Sequence, residues 1–431
     1  MNQLSRKHIV ILGAGFAGLR LARMLNNHPS YTITLIDKNN YHQFQPLLYQ
    51  VALANLDASN ISFPLRNIFK RSRNISIRAT TVTEIDVPNN CVRTDGGDFN
   101  YDFLVVATGA TTNYFGNVKL EEKVFPMKST WEALQIRNTL LQHFENAVLT
   151  YPTDTENQLS IVIVGGGPTG VELSGAFAEM KRDSLPDEYP ELDFSKMKIY
   201  LLEGSGKLLG NMRSRSSTKA RKYLTQMGVT VRTNTFVKQY DGLKVIFNDG
   251  SHLESAFVIW VAGVLGNTPP GIPESLLTKT KQLKTDIYNR VVSVDNMFAL
   301  GDVAFVETTQ HPKGLPQLAS VAVDQAKNMA NNFKRLAKEQ TILPYVYVNK
   351  GSMATIGRNK AVVDLVRPAI SFGGFIAWFI WMTLHLFLLI GFKNRLIVFI
   401  NWVYKYFTHR QSFSLLFNPP VKKQKSDSRP M

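Results

Sequence analysis

The sequence predicts an α/β fold built from two glycine-rich strand–turn–helix units, each opening its own parallel sheet, with an apolar helical region at the C-terminus. Three observations carry this. IVILGAGFAGL sets Gly13, Gly15 and Gly18 after a short apolar strand. IVIVGGGPTGVEL repeats the arrangement about 150 residues later with Gly165, Gly167 and Gly170. From Ile370 the chain turns strongly apolar and aromatic.

Lys7 to Leu12 is a buried parallel strand, followed by the glycine turn and a helix to about Asn26. Each glycine has its own task. Gly13 permits the tight turn, Gly15 lets a pyrophosphate approach the backbone, and Gly18 allows close helix–strand packing. The helix N-terminus then offers amide donors to phosphate. The next strand, Tyr31 to Ile36, ends at Asp37, with Lys38 beside it. That spacing suits a carboxylate that reaches adenosine ribose hydroxyls. Tyr41 to Ala54 is a polar and aromatic excursion, and Ile75–Ala79, Thr81–Ile85 and Cys91–Thr94 are strands. YDFLVVATGAT gives a buried strand ending at Thr108 and Gly109, a turn able to pass close to a pyrophosphate.

The second unit follows the same order. Ile161 to Val164 is its strand, Val171 to Lys181 its helix, and Lys198 to Leu202 leads to Glu203. Thr169 lies in the turn, and SAFVIWVAGVLGN runs into Gly263 at the place matching Gly109. Val291 to Leu300 delivers Gly301 and Asp302, a helix runs from about Leu318 to Leu336, and Tyr345 to Ile356 forms a hairpin. One glycine motif alone is weak. Two in one chain suggest Rossmann-like domains holding two dinucleotides face to face, which suits electron transfer between them.

The chain carries 49 Lys and Arg against 33 Asp and Glu. The excess concentrates after Lys393, beside apolar sequence, which favours an anionic membrane surface over nucleic acid. Cys91 is the single cysteine. It allows no intrachain disulfide, no thiol pair to relay electrons and no cysteine cluster for a metal, and no metal is expected. MNQLSRKH enters a strand without a secretion signal, so the bulk is expected in the cytoplasm.

ISFGGFIAWFIWMTLHLFLLIGF, residues 370–392, is just long enough to span a bilayer. RLIVFINWVYKYF then carries Lys405 inside an apolar helix. Trp378, Trp381, Trp402, Tyr404 and Tyr406 are residues that settle at headgroup depth. A surface-lying helical hairpin is favoured over a span, because charge interrupts the second helix. A hydrophobic dimer interface is the plainer alternative and can coexist with it.

The chain resembles the two-dinucleotide-binding-domain flavoproteins and, within them, the bacterial type II NADH dehydrogenases, single-subunit NADH:quinone oxidoreductases. The resemblance spans about residues 8 to 410 and is most specific in HIVILGAGFAGL, FQPLLYQVA, VATGA, IVIVGGGPTGVELSG and ALGDVA. It implies non-covalent FAD held by Gly13, Gly15, Gly18, Asp37, Thr108, Gly109, Gly301 and Asp302, with Ala319 near the ring. It implies NADH at Gly165, Gly167, Thr169, Gly170, Glu203 and Gly263, and Glu172 as the catalytic-site glutamate. A carboxylate at Glu203 independently favours NADH, since it repels a 2′-phosphate. A structural role for Glu172 at the helix start is the competing reading.

The family's acceptor-side Ala-Gln-x-Ala-x-Gln-Gln pattern falls on Ala319 to Gln325, with Ser320 and Asp324 in place of two glutamines. Gln317, Ser320, Asp324, Gln325 and Tyr49 form the expected quinone side. The implied reaction is non-pumping hydride transfer from NADH to FAD and then reduction of menaquinone or ubiquinone. The alternative is a soluble-type NADH oxidase, reductase or redox sensor. The expected protein is a homodimer peripheral to the cytoplasmic face of the inner membrane. Its expected parts are an FAD domain at 1–155 and 271–365, an NADH domain at 156–270, membrane-associating helices at 366–412 and a disordered basic tail at 413–431.

Overall fold

The computed structural model describes residues 6–150, 159–408 and 414–416; nearly all of the basic tail lies outside them. Strand β1 (Lys7–Leu12) enters helix α1 (Phe16–Met24) and returns as β2 (Tyr31–Asp37). A short helix, α2 (Leu48–Ala52), is wholly buried. Strands β3 (Ile75–Ala79) and β4 (Phe103–Val106) follow, then the long helix α3 (Thr130–Thr150). The second unit is β5 (Ile161–Val164), α4 (Pro168–Asp183), β6 (Ile199–Leu202), β7 (Val229–Arg232) and β8 (Phe257–Trp260). The chain then returns to the first sheet through β9 (Met297–Ala299) and α5 (Ala319–Leu336).

The two sheets share one parallel topology. The first runs β9-β4-β1-β2-β3, and the second runs Phe125–Pro126, then β8-β5-β6-β7. Each takes its outermost strand from chain beyond its own unit, so the strands of the second sheet fall between the last two strands of the first in chain order. The second sheet's edge strand at Phe125 lies well before residue 156. Each sheet also carries a three-stranded antiparallel meander between its last two local strands: Val82–Asp86, Cys91–Thr94 and Gly97–Asn100 in one, Val237–Tyr240, Lys244–Phe247 and His252–Glu254 in the other. Ala110–Thr112 pairs antiparallel with Val264–Gly266, joining the segments that leave β4 and β8.

Three expectations are corrected. The hairpin expected from Tyr345 is made instead by β10 (Ser352–Gly357) and β11 (Lys360–Asp364). Helix α1 stops at Met24, because the chain turns at Asn27 with φ 59°. The apolar run 370–392 is not one helix. Ser371–Gly373 adds a strand beside β11, and Gly374, at φ 104°, breaks the backbone before α6 (Phe375–Leu388). Fourteen residues make a helix of about 21 Å, short of a hydrocarbon core of about 30 Å. Helix α7 (Phe392–Thr408) doubles back beside it. Among the described residues no helix is long and apolar enough to cross a membrane.

Trp381 of α6 and Trp402 of α7 bury into the core cluster shared by α2, α3 and α4. The opposite side of the pair stays bare, with Phe379, Phe387, Phe392 and Phe407 exposed.

Candidate active site

The two glycine turns have the same internal geometry. Gly13 and Gly165 sit at φ 95° and 118°, in the left-handed region that favours glycine. A Cβ on Gly13 would meet Ala107 O at 2.4 Å, and one on Gly165 would meet Ala262 N at 2.8 Å. A Cβ on Gly18 or Gly170 would stand 1.9 Å or 1.8 Å from the carbonyl oxygen of its own turn. Gly15 and Gly167, by contrast, face open space, with nothing within 4 Å of a Cβ. Both precede the first residue of a helix, so amide donors point into that space.

The ribose carboxylates also match. Asp37 Oδ2 accepts from Ala14 N at 2.7 Å and Oδ1 from Asn39 N at 2.8 Å. Glu203 Oε2 accepts from Gly166 N at 2.6 Å and Oε1 from Ser205 N at 2.7 Å. Each oxygen keeps a lone pair for a ribose hydroxyl. Burial raises the Asp37 carboxyl, and the two amides oppose the shift. Lys38 is exposed. Thr108 Oγ1 is buried without a hydrogen-bond partner at the end of β4. Gly301 N donates to Gln325 Oε1 at 2.7 Å, and Asp302 stands near Lys128, whose charge opposes the upward push of burial on the Asp302 carboxyl. An open phosphate cradle, a ribose carboxylate and an orphaned hydroxyl fit an FAD in the first domain. The second cradle with Glu203 fits NADH.

A cavity of about 90 Å³ lies between α4, the β10–β11 hairpin, α2 and the C-terminal helices. Glu172, Tyr49, Asn55, Trp381 and Trp402 are among the residues that line it. Thr355 N donates to Glu172 Oε1 at 3.5 Å, and this amide and the neighbouring Trp381 side chain act to lower the carboxyl. Burial nevertheless dominates and pushes Glu172 up to about 8. Asn55 Oδ1 is buried in this wall without a hydrogen-bond partner. Toward the outside, Glu179 accepts from Arg358 N and pairs with Lys405 at 3.9 Å.

A family model described as pyridine nucleotide-disulphide oxidoreductase matches residues 7–326, and one described as the NDH2 C-terminal domain matches 349–411. The chain is 34% identical over 426 residues to the type II NADH:quinone oxidoreductase Ndh of Mycobacterium tuberculosis, covering 95% of this chain and 90% of that protein. The chain belongs to the type II NADH:quinone oxidoreductases. It is 33% identical to NdhA of the same organism, over 92% of this chain and 86% of the relative. The structure of NDH2 from Plasmodium falciparum in complex with NADH shares the fold, with a TM-score of 0.84 at 21% identity, covering 93% of this chain and 98% of that one.

In this type II enzyme the expected quinone-side set does not converge. Gln317 Nε2 donates to Asp302 O at 2.8 Å. Gln325 is 1% exposed and is spent on Gly301 N, so it braces the Asp302 turn and is closed to a ligand. Asp324 pairs with Lys350 at 2.5 Å, and Ser320 and Ala319 are exposed on the first turn of α5. Helix phase explains the separation. Gln325 shares the buried face with Val321, Ala322 and Met329, which carries it toward Gly301. Of the set, Tyr49 alone lines the cavity with Glu172. Gly263 is exposed at φ 75°, where a Cβ would lie 3.0 Å from the Phe115 ring.

Sequence reasoning missed Asn55, Glu179, Trp381 and Trp402 as cavity residues. A signal was present on α4. Glu172, Ala176, Glu179 and Asp183 fall at helical spacing on one face, three of them carboxylates, and all line the cavity. His385, whose charge state the sequence leaves open, stacks on Trp381 at 3.9 Å and is pushed down to about 4 by burial, so it is neutral.

Proposed function

We propose that the cavity beside Glu172 is the quinone site of an enzyme that catalyses NADH + H⁺ + quinone → NAD⁺ + quinol. The observation that carries this is the position of Glu172. Its carboxyl faces a cavity whose outer wall is the pair of helices with the bare apolar face. A membrane quinone reaches that wall without leaving an apolar environment.

Bound FAD supplies hydride acceptance from NADH and the return of two electrons to the quinone. The chain does the rest. Gly13 to Gly18 and Asp37 hold one dinucleotide, and Gly165 to Gly170 and Glu203 the other. Gln317 and Gln325 fix the Gly301–Asp302 turn against the first. Glu172 keeps a proton on its carboxyl up to about pH 8, so it can supply the proton that quinol formation takes from solution.

Phe379, Phe387 and Phe392 bury in the apolar layer of the membrane, which gives monotopic attachment. The cytoplasmic face, anionic lipid and the homodimer are part of the same proposal. Flotation on inverted vesicles and light scattering in detergent check them. The domain division proposed is the FAD domain interrupted by the NADH domain, with the C-terminal helices bridging both.

The deciding experiment is anaerobic stopped-flow of the purified protein. NADH should bleach the flavin, and menaquinone and ubiquinone analogues should reoxidise it at a rate that supports turnover. Rapid bleaching with no reoxidation by any quinone would refute the assignment and leave an oxidase or sensor.

A further inference from the structure

We infer that Trp402 and Gln50 are positioning residues that force the Tyr49 hydroxyl to act as a hydrogen-bond donor toward quinone. The inference rests on the quinone-site reading above and goes beyond it by assigning the polarity of the site and its origin in the membrane-docking helix.

The three side chains form one directed chain. Trp402 Nε1 donates to Gln50 Oε1 at 2.7 Å, and Gln50 Nε2 donates to Tyr49 Oη at 2.9 Å. All three are buried, at 8%, 7% and 7% exposure. An indole N–H is donor only, so it admits a single orientation of the Gln50 amide, oxygen toward Trp402. The amide nitrogen is thereby turned to Tyr49, whose oxygen must accept. The phenol then has one hydrogen left and must direct it elsewhere. Tyr49 lines the cavity with Glu172, so the cavity is where that hydrogen goes.

The resulting polarity matches a quinone, whose carbonyl oxygens only accept. Burial and the nearby Glu172 hold Tyr49 well above the ordinary tyrosine value, so the hydroxyl stays a neutral donor. The unpaired Asn55 Oδ1 in the same wall is an acceptor, which suits the hydroxyl of the quinol product. Trp402 belongs to α7, which also contacts the first domain through Asn394 Nδ2 to Ser59 O at 2.9 Å and Asn401 Nδ2 to Asn60 Oδ1 at 3.3 Å. Seating of the C-terminal helix therefore sets the donor in the site.

The test is a double-mutant cycle on quinone KM with Trp402→Phe, Tyr49→Phe and the double variant, and Gln50→Leu as a second route. Flavin content and NADH-dependent bleaching are recorded for each protein to normalise the rates. Tyr49→Phe should raise quinone KM roughly tenfold, and Trp402→Phe about threefold by freeing the amide to turn over. In the Tyr49→Phe background, Trp402→Phe and Gln50→Leu should each add less than about 1.5-fold. Equal effects of Trp402→Phe in both backgrounds would make it a packing residue, and an unchanged KM for Tyr49→Phe would remove the donor; either overturns the inference. A wild-type protein that reduces no quinone would instead overturn the site itself.

Discussion

Glu172 carries an ordinary carboxyl in an unusual place. Its proton is held to about pH 8 when folded, against about 4.5 otherwise. Between those values the folded chain binds more protons than the unfolded one, so this group makes stability fall as pH rises through the window. Below it both states are protonated, and above it both are ionised. Glu172→Gln should flatten that slope in denaturation midpoints taken between about pH 5 and 9. It should also lower quinone turnover roughly 10- to 100-fold and abolish a titration near pH 8 in the rate profile, with FAD retained. An unchanged profile would leave Glu172 a structural residue. Glu203 is tested by nucleotide choice. Glu203→Ser strips the Gly166 and Ser205 amides of a charged acceptor, so NADH KM should rise about tenfold while the preference over NADPH narrows. Asp37 and Glu203 were legible in the sequence because turn, strand end and carboxylate are close in the chain. The surroundings of Glu172 were not, because Thr355 lies 183 residues away and nothing local announces the meeting.

Helices α5 and α6 show what periodicity reveals and what it leaves open. The start and end of α5 were readable from its apolar spacing, yet the task of its glutamine was not. The family pattern points Gln325 toward an acceptor, whereas the helix phase gives it to Gly301 N. Gln325→Leu leaves that amide without its acceptor beside Asp302, at a cost of about 1–3 kcal/mol. The variant should therefore lose FAD on gel filtration and hold it roughly 10- to 100-fold more weakly. Quinone KM should move little once FAD is saturating, and a large rise would return Gln325 to the acceptor site. In α6 hydropathy alone gave a stretch long enough to span. Gly374 and the strand at Ser371–Gly373 consume its beginning, and Leu389 leaves the helix in extended backbone. Arg395 then closes the turn, donating to Leu389 O and Phe387 O at 2.8 Å each, which satisfies carbonyls that a spanning helix would have kept for itself.

Across the whole molecule, α7 is a strap. Its Asn394, Asn401 and Trp402 hold residues 50–60 of the first domain, while Lys405 meets Glu179 on the second and the Tyr406 carbonyl accepts from Arg358 in the turn of the β10–β11 hairpin. The basic charge that the sequence concentrates in this region is therefore partly spent inside the protein. Burial pulls the Lys405 ammonium down, opposed by Glu179, and Arg395 caps a helix. Two-domain duplication was legible because both glycine turns are local, but the strap was not, since it depends on contacts closing over more than 300 residues. With those charges engaged, apolar burial should dominate membrane attachment. Phe379 and Phe387 are 58% and 67% exposed, and each side chain contributes about 1.5–3 kcal/mol when fully buried. Replacing both by Ser should lower partition onto zwitterionic vesicles by roughly 100-fold or more in a sedimentation assay. Raising salt from about 0.05 to 0.5 M should weaken binding to anionic vesicles much less, because screening acts on exposed charge and leaves apolar contact intact. Release by salt, with indifference to the two phenylalanines, would show that charge holds the enzyme to the membrane and that the bare helical face serves another partner.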